Sequence, residues 1–218
     1  MEVFLSLLQR PSSRLFWRVA FALVAVTTLP SLSAWAADEP PFEIRFPQET
    51  QITIFASSFG AGRSGGRRHH GVDLMAPKMT QVYAAEDGYV ARVETHSLAG
   101  RYIEISHGGG WSTRYVHLNN DNPGTDDGDA DWALTLAPGV RLGAWVEAGE
   151  LIAWVGDSGN AEWSGSHTHF ELVIDGRPID PYPFLEEAWE RDEKRYEAHL
   201  WDLLHPLASI EWSERIIG

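Results

Sequence analysis

The sequence predicts an all-β fold, a small antiparallel β-sandwich or barrel with a helical appendage at its C-terminal end. Three observations carry this. From about residue 48 to 183 the chain is a series of short β-like runs punctuated by glycine and proline, and strands never alternate with helical patterns as a βαβ unit requires. Twenty glycines and ten tryptophans in 218 residues suit a turn-rich, aromatic β protein.

The elements follow in order. Residues 1–36 read as an export signal: Arg10, Arg14 and Arg18 precede the apolar run "VAFALVAVTTL", and Ala34-Trp35-Ala36 supplies an A-x-A cleavage pattern. The run is shorter than the about 20 residues that a spanning helix needs, so no stable membrane insertion is expected after cleavage. An uncleaved anchor borrowing residues 15–17 is the alternative. Residues 37–47 are Pro- and Glu-rich, more arm than core. Within 48–183, "QITIFAS" alternates as a strand, and "QVYAAEDGYVARVETH" reads as two strands around Asp87-Gly88. "RYIEISHGG", "STRYVHL", "GELIAWVGDSG" and "HFELVIDGRPI" complete the set. Asp87-Gly88 and Asp175-Gly176 are tight-hairpin signals. Residues 119–131, "NNDNPGTDDGDAD", form an acidic loop whose spacing does not match an EF-hand, which favours a solvated loop over a calcium site. Residues 184–218 read as a helix broken near Pro206, with Leu185, Ala188, Trp189, Tyr196, Leu200, Leu203 and Leu204 as a stripe that packs on the sheet.

A formal charge of −14 argues against nucleic acid or an anionic membrane surface as partner. It also argues mildly against electrostatic capture of anionic wall polymers. The absence of cysteine excludes disulfides, thiolate zinc sites, a cysteine nucleophile and a lipidated cysteine.

Chemistry concentrates in three histidine-bearing segments. In "RRHHGVDL", His69 and Asp73 share one face of an extended segment, and Gly71 between them leaves the space open. An imidazole and a carboxylate so placed can grip one cation, and a histidine from another strand can complete the site. His70 is the competing ligand, but alternation points it away from Asp73. In "GSHTHFELVI", His167 and His169 share a face opposite Phe170, Leu172 and Ile174. In "TRYVHL", His117 ends a β-like run with Tyr115 on its own face. Glu171 lies on the face of His169, where it either orients that ligand or is solvated. His107 reads as structural at a hairpin turn; His96, His199 and His205 stand outside any cluster.

Together these residues resemble the LytM-type, lysostaphin-like M23 zinc metallopeptidases. The signature there is H-x-G-x-D, a Tyr-x-His-Leu strand and H-x-H-F-E, present here in order as "HHGVDL", "RYVHL" and "HTHFEL" across roughly residues 55–181. The departures are Thr168 where leucine is usual, a longer acidic loop after His117 and a stretched Gly/Arg-rich run at 60–68. The resemblance implies a duplicated-hybrid-motif domain and an exported enzyme of the periplasm, cell wall or extracellular space. It implies that His69, Asp73 and His169 bind Zn2+, with His167 and His117 beside the open coordination position. The substrate implied is a peptide of peptidoglycan. An uncoordinated imidazole suits proton transfer; His167 is the first candidate for general base and His117 for orienting water or stabilising the oxyanion, roles that the sequence leaves exchangeable. Two other classes stand beside this one: a non-catalytic LytM-like domain that binds wall or activates a partner hydrolase, and a phosphocarrier of related architecture. All five site residues are present, which disfavours the first; Asp73 and the export signal disfavour the second.

Overall fold

The computed structural model describes residues 39–205; the expected export signal and the expected break near Pro206 lie outside them. The described residues form nine strands and one long helix. The strands are β1 (Val72–Met75), β2 (Gln81–Tyr83), β3 (Gly88–His96), β4 (Gly100–Gly108), β5 (Trp111–Leu118), β6 (Trp145–Val146), β7 (Leu151–Trp154), β8 (His167–Ile174) and β9 (Arg177–Ile179), followed by α1 (Tyr182–Leu204). Seven strands make one antiparallel sheet in the order β1-β8-β5-β4-β3-β6, with β9 paired to β8, and β2 and β7 form a second small sheet. The class is the expected one.

One face of the large sheet is apolar. Val72, Leu74, Val90, Ile103, Ile105, Tyr115 and Phe170 point into a common core with Val82 of β2 and with Ile152 and Ala153 of β7. Period-two alternation therefore leaves the other face of β8 to His167, His169 and Glu171. Tyr115 is fully buried, and its hydroxyl accepts the Ala85 amide at 2.7 Å. Burial pushes that phenol well above its ordinary pKa.

Three local expectations need correction here. Asp87-Gly88 is not a hairpin: β2 pairs with β7, whereas β3 pairs with β4 and β6. Gly88 serves close approach, since a Cβ there would meet the Ser106 carbonyl at 2.4 Å. Asp175-Gly176, by contrast, does turn β8 into β9, with φ values of 49° and 77°. "QITIFAS" makes only the bridge Ile54↔Met75, because the Thr53 hydroxyl bonds back to the Glu49 carbonyl at 2.7 Å and folds the segment into a turn. The stretch before it is core rather than arm: Ile44 and Phe46 are buried, and the Asp192 carboxylate of α1 accepts the Phe46 amide at 3.0 Å.

The helix begins at Tyr182, two residues before the expected start, with proline in its first turn where a missing N–H costs nothing. Leu185 and Ala188 enter the core and Trp189 packs against it, but Tyr196, Leu200, Leu203 and Leu204 are exposed. The apolar stripe thus packs only in its first turns. Beyond Asp192, which holds Arg45 at 3.2 Å, the helix carries surface ion pairs such as Lys194–Glu190.

The acidic loop is also not simply solvated. Asp121 is buried and accepts the Lys78 ammonium at 2.7 Å; Asp126 meets the same ammonium, and Asp157 lies 2.9 Å from it. An intramolecular cation supplies the positive charge there, while Asp127 and Asp129 face solvent.

The two halves of the helical stripe predict different costs. Leu185→Ala, fully buried, is expected to lose about 2–5 kcal/mol. Leu204→Ala, 67 % exposed, is expected to lose less than about 0.5 kcal/mol. Urea denaturation of both variants measures the difference.

Candidate metal centre

His69 precedes β1, and its backbone is fixed by two bonds: Gly60 N–H to the His69 carbonyl at 2.8 Å and His69 N–H to the Ala61 carbonyl at 2.9 Å. Asp73 lies on β1 directly opposite His169 of β8. Gly71 allows this approach, for a Cβ there would stand 2.1 Å from the Phe170 carbonyl oxygen.

Three atoms converge. His69 Nε2 is 2.8 Å from His169 Nδ1 and 2.9 Å from Asp73 Oδ1, and His169 Nδ1 is 2.9 Å from the same oxygen. The outer nitrogens fix the tautomers. His69 Nδ1 faces the Ser58 carbonyl at 2.9 Å and His169 Nε2 faces the Glu171 carboxylate at 3.1 Å. Each partner is an acceptor, so each outer nitrogen donates and each inner nitrogen turns a lone pair inward. Two imidazole lone pairs and one carboxylate oxygen so close together repel one another unless a proton or a metal ion lies between them. Two imidazoles and one carboxylate are also a donor set suited to a divalent ion such as zinc, with room for a further ligand.

The titration directions agree. Burial pulls the Asp73 carboxyl upward, but hydrogen bonds with His169 and His69 outweigh it and hold Asp73 well below the usual carboxylate range. Burial lowers His169, yet its bonds to Asp73 and Glu171 carry it above its ordinary value. The second Asp73 oxygen is taken by Arg63 Nη2 at 2.6 Å, which leaves Oδ1 to point inward.

His117 and His167 stand beside this cluster, their rings 4.9 Å apart. His117 arrives by a backbone irregularity. Its φ is +63°, and the β4–β5 register shifts between Arg101↔Leu118 and Ile103↔Tyr115. The expectation that Tyr115 shares the face of His117 is therefore wrong: Tyr115 is in the core against Phe170, and the bulge swings His117 to the opposite face. His117 Nδ1 donates to the Ser158 carbonyl at 2.8 Å and His167 Nδ1 to the Gly165 carbonyl at 2.7 Å. Each ring keeps an unprotonated Nε2, and His167 Nε2 lies 3.8 Å from Asp73 Oδ1. Burial, with His167 nearby, pushes the His117 imidazole down to about 4; burial likewise lowers His167. Both rings are neutral at pH 7.

A row of alternating charge crosses the sheet beside the cluster. Glu171, Arg114, Glu104 and Arg92 sit directly opposite one another on β8, β5, β4 and β3. Arg114 bonds Glu171 at 3.0 Å and Glu104 at 2.9 Å, which secures the carboxylate that orients His169. This row floors a cleft of about 600 Å³ that also takes in the five predicted site residues. His70 lines the cleft but stays outside the three-atom cluster, and His107 bridges Asp87 and Thr113 as a structural residue.

Several functional groups were hidden from sequence reasoning. The carbonyls of Ser58, Ser158 and Gly165 have no side-chain signature at all. Arg114 and Glu104 become visible only once the strand pairing is known. Arg63 lies in the Gly/Arg-rich run, whose unusual length was its one signal.

The family model described as peptidase family M23 matches residues 67–130. Two peptidoglycan DD-endopeptidases of Vibrio cholerae are similar: ShyA at 33% identity over 51% of this chain and 22% of its own length, and ShyB at 35% over 62% and 29%. The chain therefore spans less than a third of either relative. Among solved structures, a zinc-containing peptidase from Vibrio cholerae superposes with a TM-score of 0.51 at 28% identity, over 63% of this chain and 39% of that one. A chain of the SpoIIIAH–SpoIIQ complex, at 22% identity and a TM-score of 0.52 over 65% of this chain and 99% of that one, shares the fold. By sequence over residues 67–130 and by fold, this chain resembles peptidase family M23.

Proposed function

We propose that the chain is an exported, zinc-dependent endopeptidase that hydrolyses a peptide bond of peptidoglycan, a cross-link or a stem peptide. The convergence of His69, Asp73 and His169 within 2.9 Å of one another is the observation that carries this reading. The names of the similar proteins, peptidoglycan DD-endopeptidases and a zinc-containing peptidase, support the substrate class and the metal. Export rests on the signal-like pattern of residues 1–36, and among the described residues no helix is long and apolar enough to cross a membrane.

His69, Asp73 and His169 would hold the ion, with Ser58 and Glu171 fixing the two rings. Zinc in such a site lowers the pKa of bound water to about 7 and polarises a carbonyl. The remaining chemistry falls to the chain. His167, neutral with a free Nε2, takes a proton from water and delivers it to the departing amine. His117, held as the same tautomer with a free Nε2, accepts a hydrogen bond from water and so orients it. A full complement of five residues with both free imidazoles neutral supports a catalytic rather than a merely binding domain.

Four outcomes are expected. Purified muropeptides incubated with the full chain should give mass-shifted products of peptide-bond hydrolysis that chelator suppresses; intact muropeptides under metal-replete conditions would refute the hydrolase. His69→Ala or Asp73→Ala should abolish stoichiometric zinc and turnover together, whereas His167→Ala should keep zinc by atomic absorption and lose about 10²–10⁴-fold in kcat. Zinc affinity should weaken as pH falls. The raised His169 retains a proton into the neutral range and the metal must displace it, while Asp73 stays ionised throughout; calorimetry in two buffers of different ionisation enthalpy reads that proton release. In the metal-free chain, NMR titration should find His117 protonating near pH 4 rather than at the ordinary 6.5.

A further inference from the structure

The cleft has a charge opposite to that of the chain. Five arginines line it against three carboxylates, although the whole sequence carries 31 acidic and 17 basic residues. Three of the arginines are committed: Arg114 to Glu104 and Glu171, Arg92 to Glu104, and Arg63 to Asp73. Arg67 and Arg68 meet no carboxylate among the described residues. Their bonds go to oxygens of their own loop, Arg67 Nε to the Ser64 carbonyl at 3.2 Å and Arg68 Nη1 to the Gly60 carbonyl at 2.9 Å.

That loop is built rather than loose. Arg63 N–H donates to the Arg67 carbonyl at 2.9 Å, Gly62 bridges to Arg68, and Gly65 and Gly66 take φ values of 71° and 75° to close the tip. Its base is the backbone of His69 itself. Two exposed guanidinium groups are thus set on a short hairpin anchored directly to the candidate metal centre. Each retains N–H groups in the planar fork that suits a carboxylate. An acidic protein with one cationic cleft repels anions over most of its surface and concentrates them there. Net charge, a sum over the chain, therefore does not describe this cleft.

We propose that Arg67 and Arg68 form a carboxylate subsite, and that the peptides this enzyme takes carry a free carboxylate close to the scissile bond. The inference rests on the peptidase reading of the adjacent centre and adds its substrate class. Arg67 and Arg68 act as specificity-determining residues; neither takes part in proton transfer.

The test compares native cross-linked muropeptides with the same material after conversion of its carboxylates to carboxamides, using the full chain and an Arg67→Gln/Arg68→Gln variant. Wild type should show a KM about tenfold or more lower for native than for amidated material. The variant should lose that preference with kcat unchanged, and Arg67→Lys/Arg68→Lys should restore part of it. Equal KM values for the two substrates with wild type, or equal losses on both with the variant, would overturn the subsite while leaving the hydrolase intact. Binding of both materials to the metal-free chain, followed by calorimetry, separates the two readings: preferential binding there with no cleavage by the zinc-replete chain sinks the hydrolase and keeps the subsite, and binding of neither sinks the subsite. Binding of a poly(glycerol phosphate) that is lost in the variant, with muropeptide binding unchanged, would assign the arginines to a wall polymer and also overturn it.

Discussion

Three electron-rich atoms held within 2.9 Å of one another, on residues 69, 73 and 169, form an arrangement that needs a positive charge at its centre. No apolar packing compensates for it; the cost is met only by a proton or a metal ion. The β1–β8 pairing keeps the atoms there. Asp73 and His169 are register partners, and the glycine at 71 lets the chain reach β8 closely enough for His69 to join them. A side chain at position 71 would push β1 away and open the triangle, so the convergence of these three atoms depends on the absence of a single methyl group.

Around that centre the fold works mainly through backbone carbonyls. Ser58, Ser158 and Gly165 each accept an imidazole N–H, and each thereby decides which nitrogen of a histidine is free. The carboxylate of Glu171 does the same for His169 and is held in turn by Arg114. Every one of the four rings keeps one free nitrogen, and position separates them: those of His69 and His169 lie 2.9 Å from Asp73 Oδ1, whereas that of His167 lies 3.8 Å from it. Lys78 contributes indirectly: it draws the acidic loop toward Asp157, next to the residue whose carbonyl orients His117.

Much of this was legible in the sequence. Period-two alternation put His167, His169 and Glu171 on one face of a strand, and the His-x-Gly-x-Asp spacing placed His69 and Asp73 together. Alternation failed at His117 because a positive φ inserts a bulge that no residue type announces. It failed at residues 51–57 because the Thr53 hydroxyl bonds the Glu49 carbonyl and replaces strand pairing with a turn. Asp87-Gly88 misled because glycine serves close backbone approach as well as turns. The charge distribution was illegible for a different reason. Net charge is a sum over the chain, whereas the cleft collects arginines from β3, β5 and the 60–68 hairpin, segments whose proximity only folding creates.

The charged row on the open face of the sheet has a consequence for what length of ligand fits. Glu171, Arg114, Glu104 and Arg92 occupy four adjacent strands. Neighbouring strands lie about 4.8 Å apart, so the row extends for about 14 Å, the length of about four residues of extended peptide. A floor of that extent beside the three-atom cluster is long enough to underlie an extended ligand along its run and not only at its tip, as a trough supports a rope.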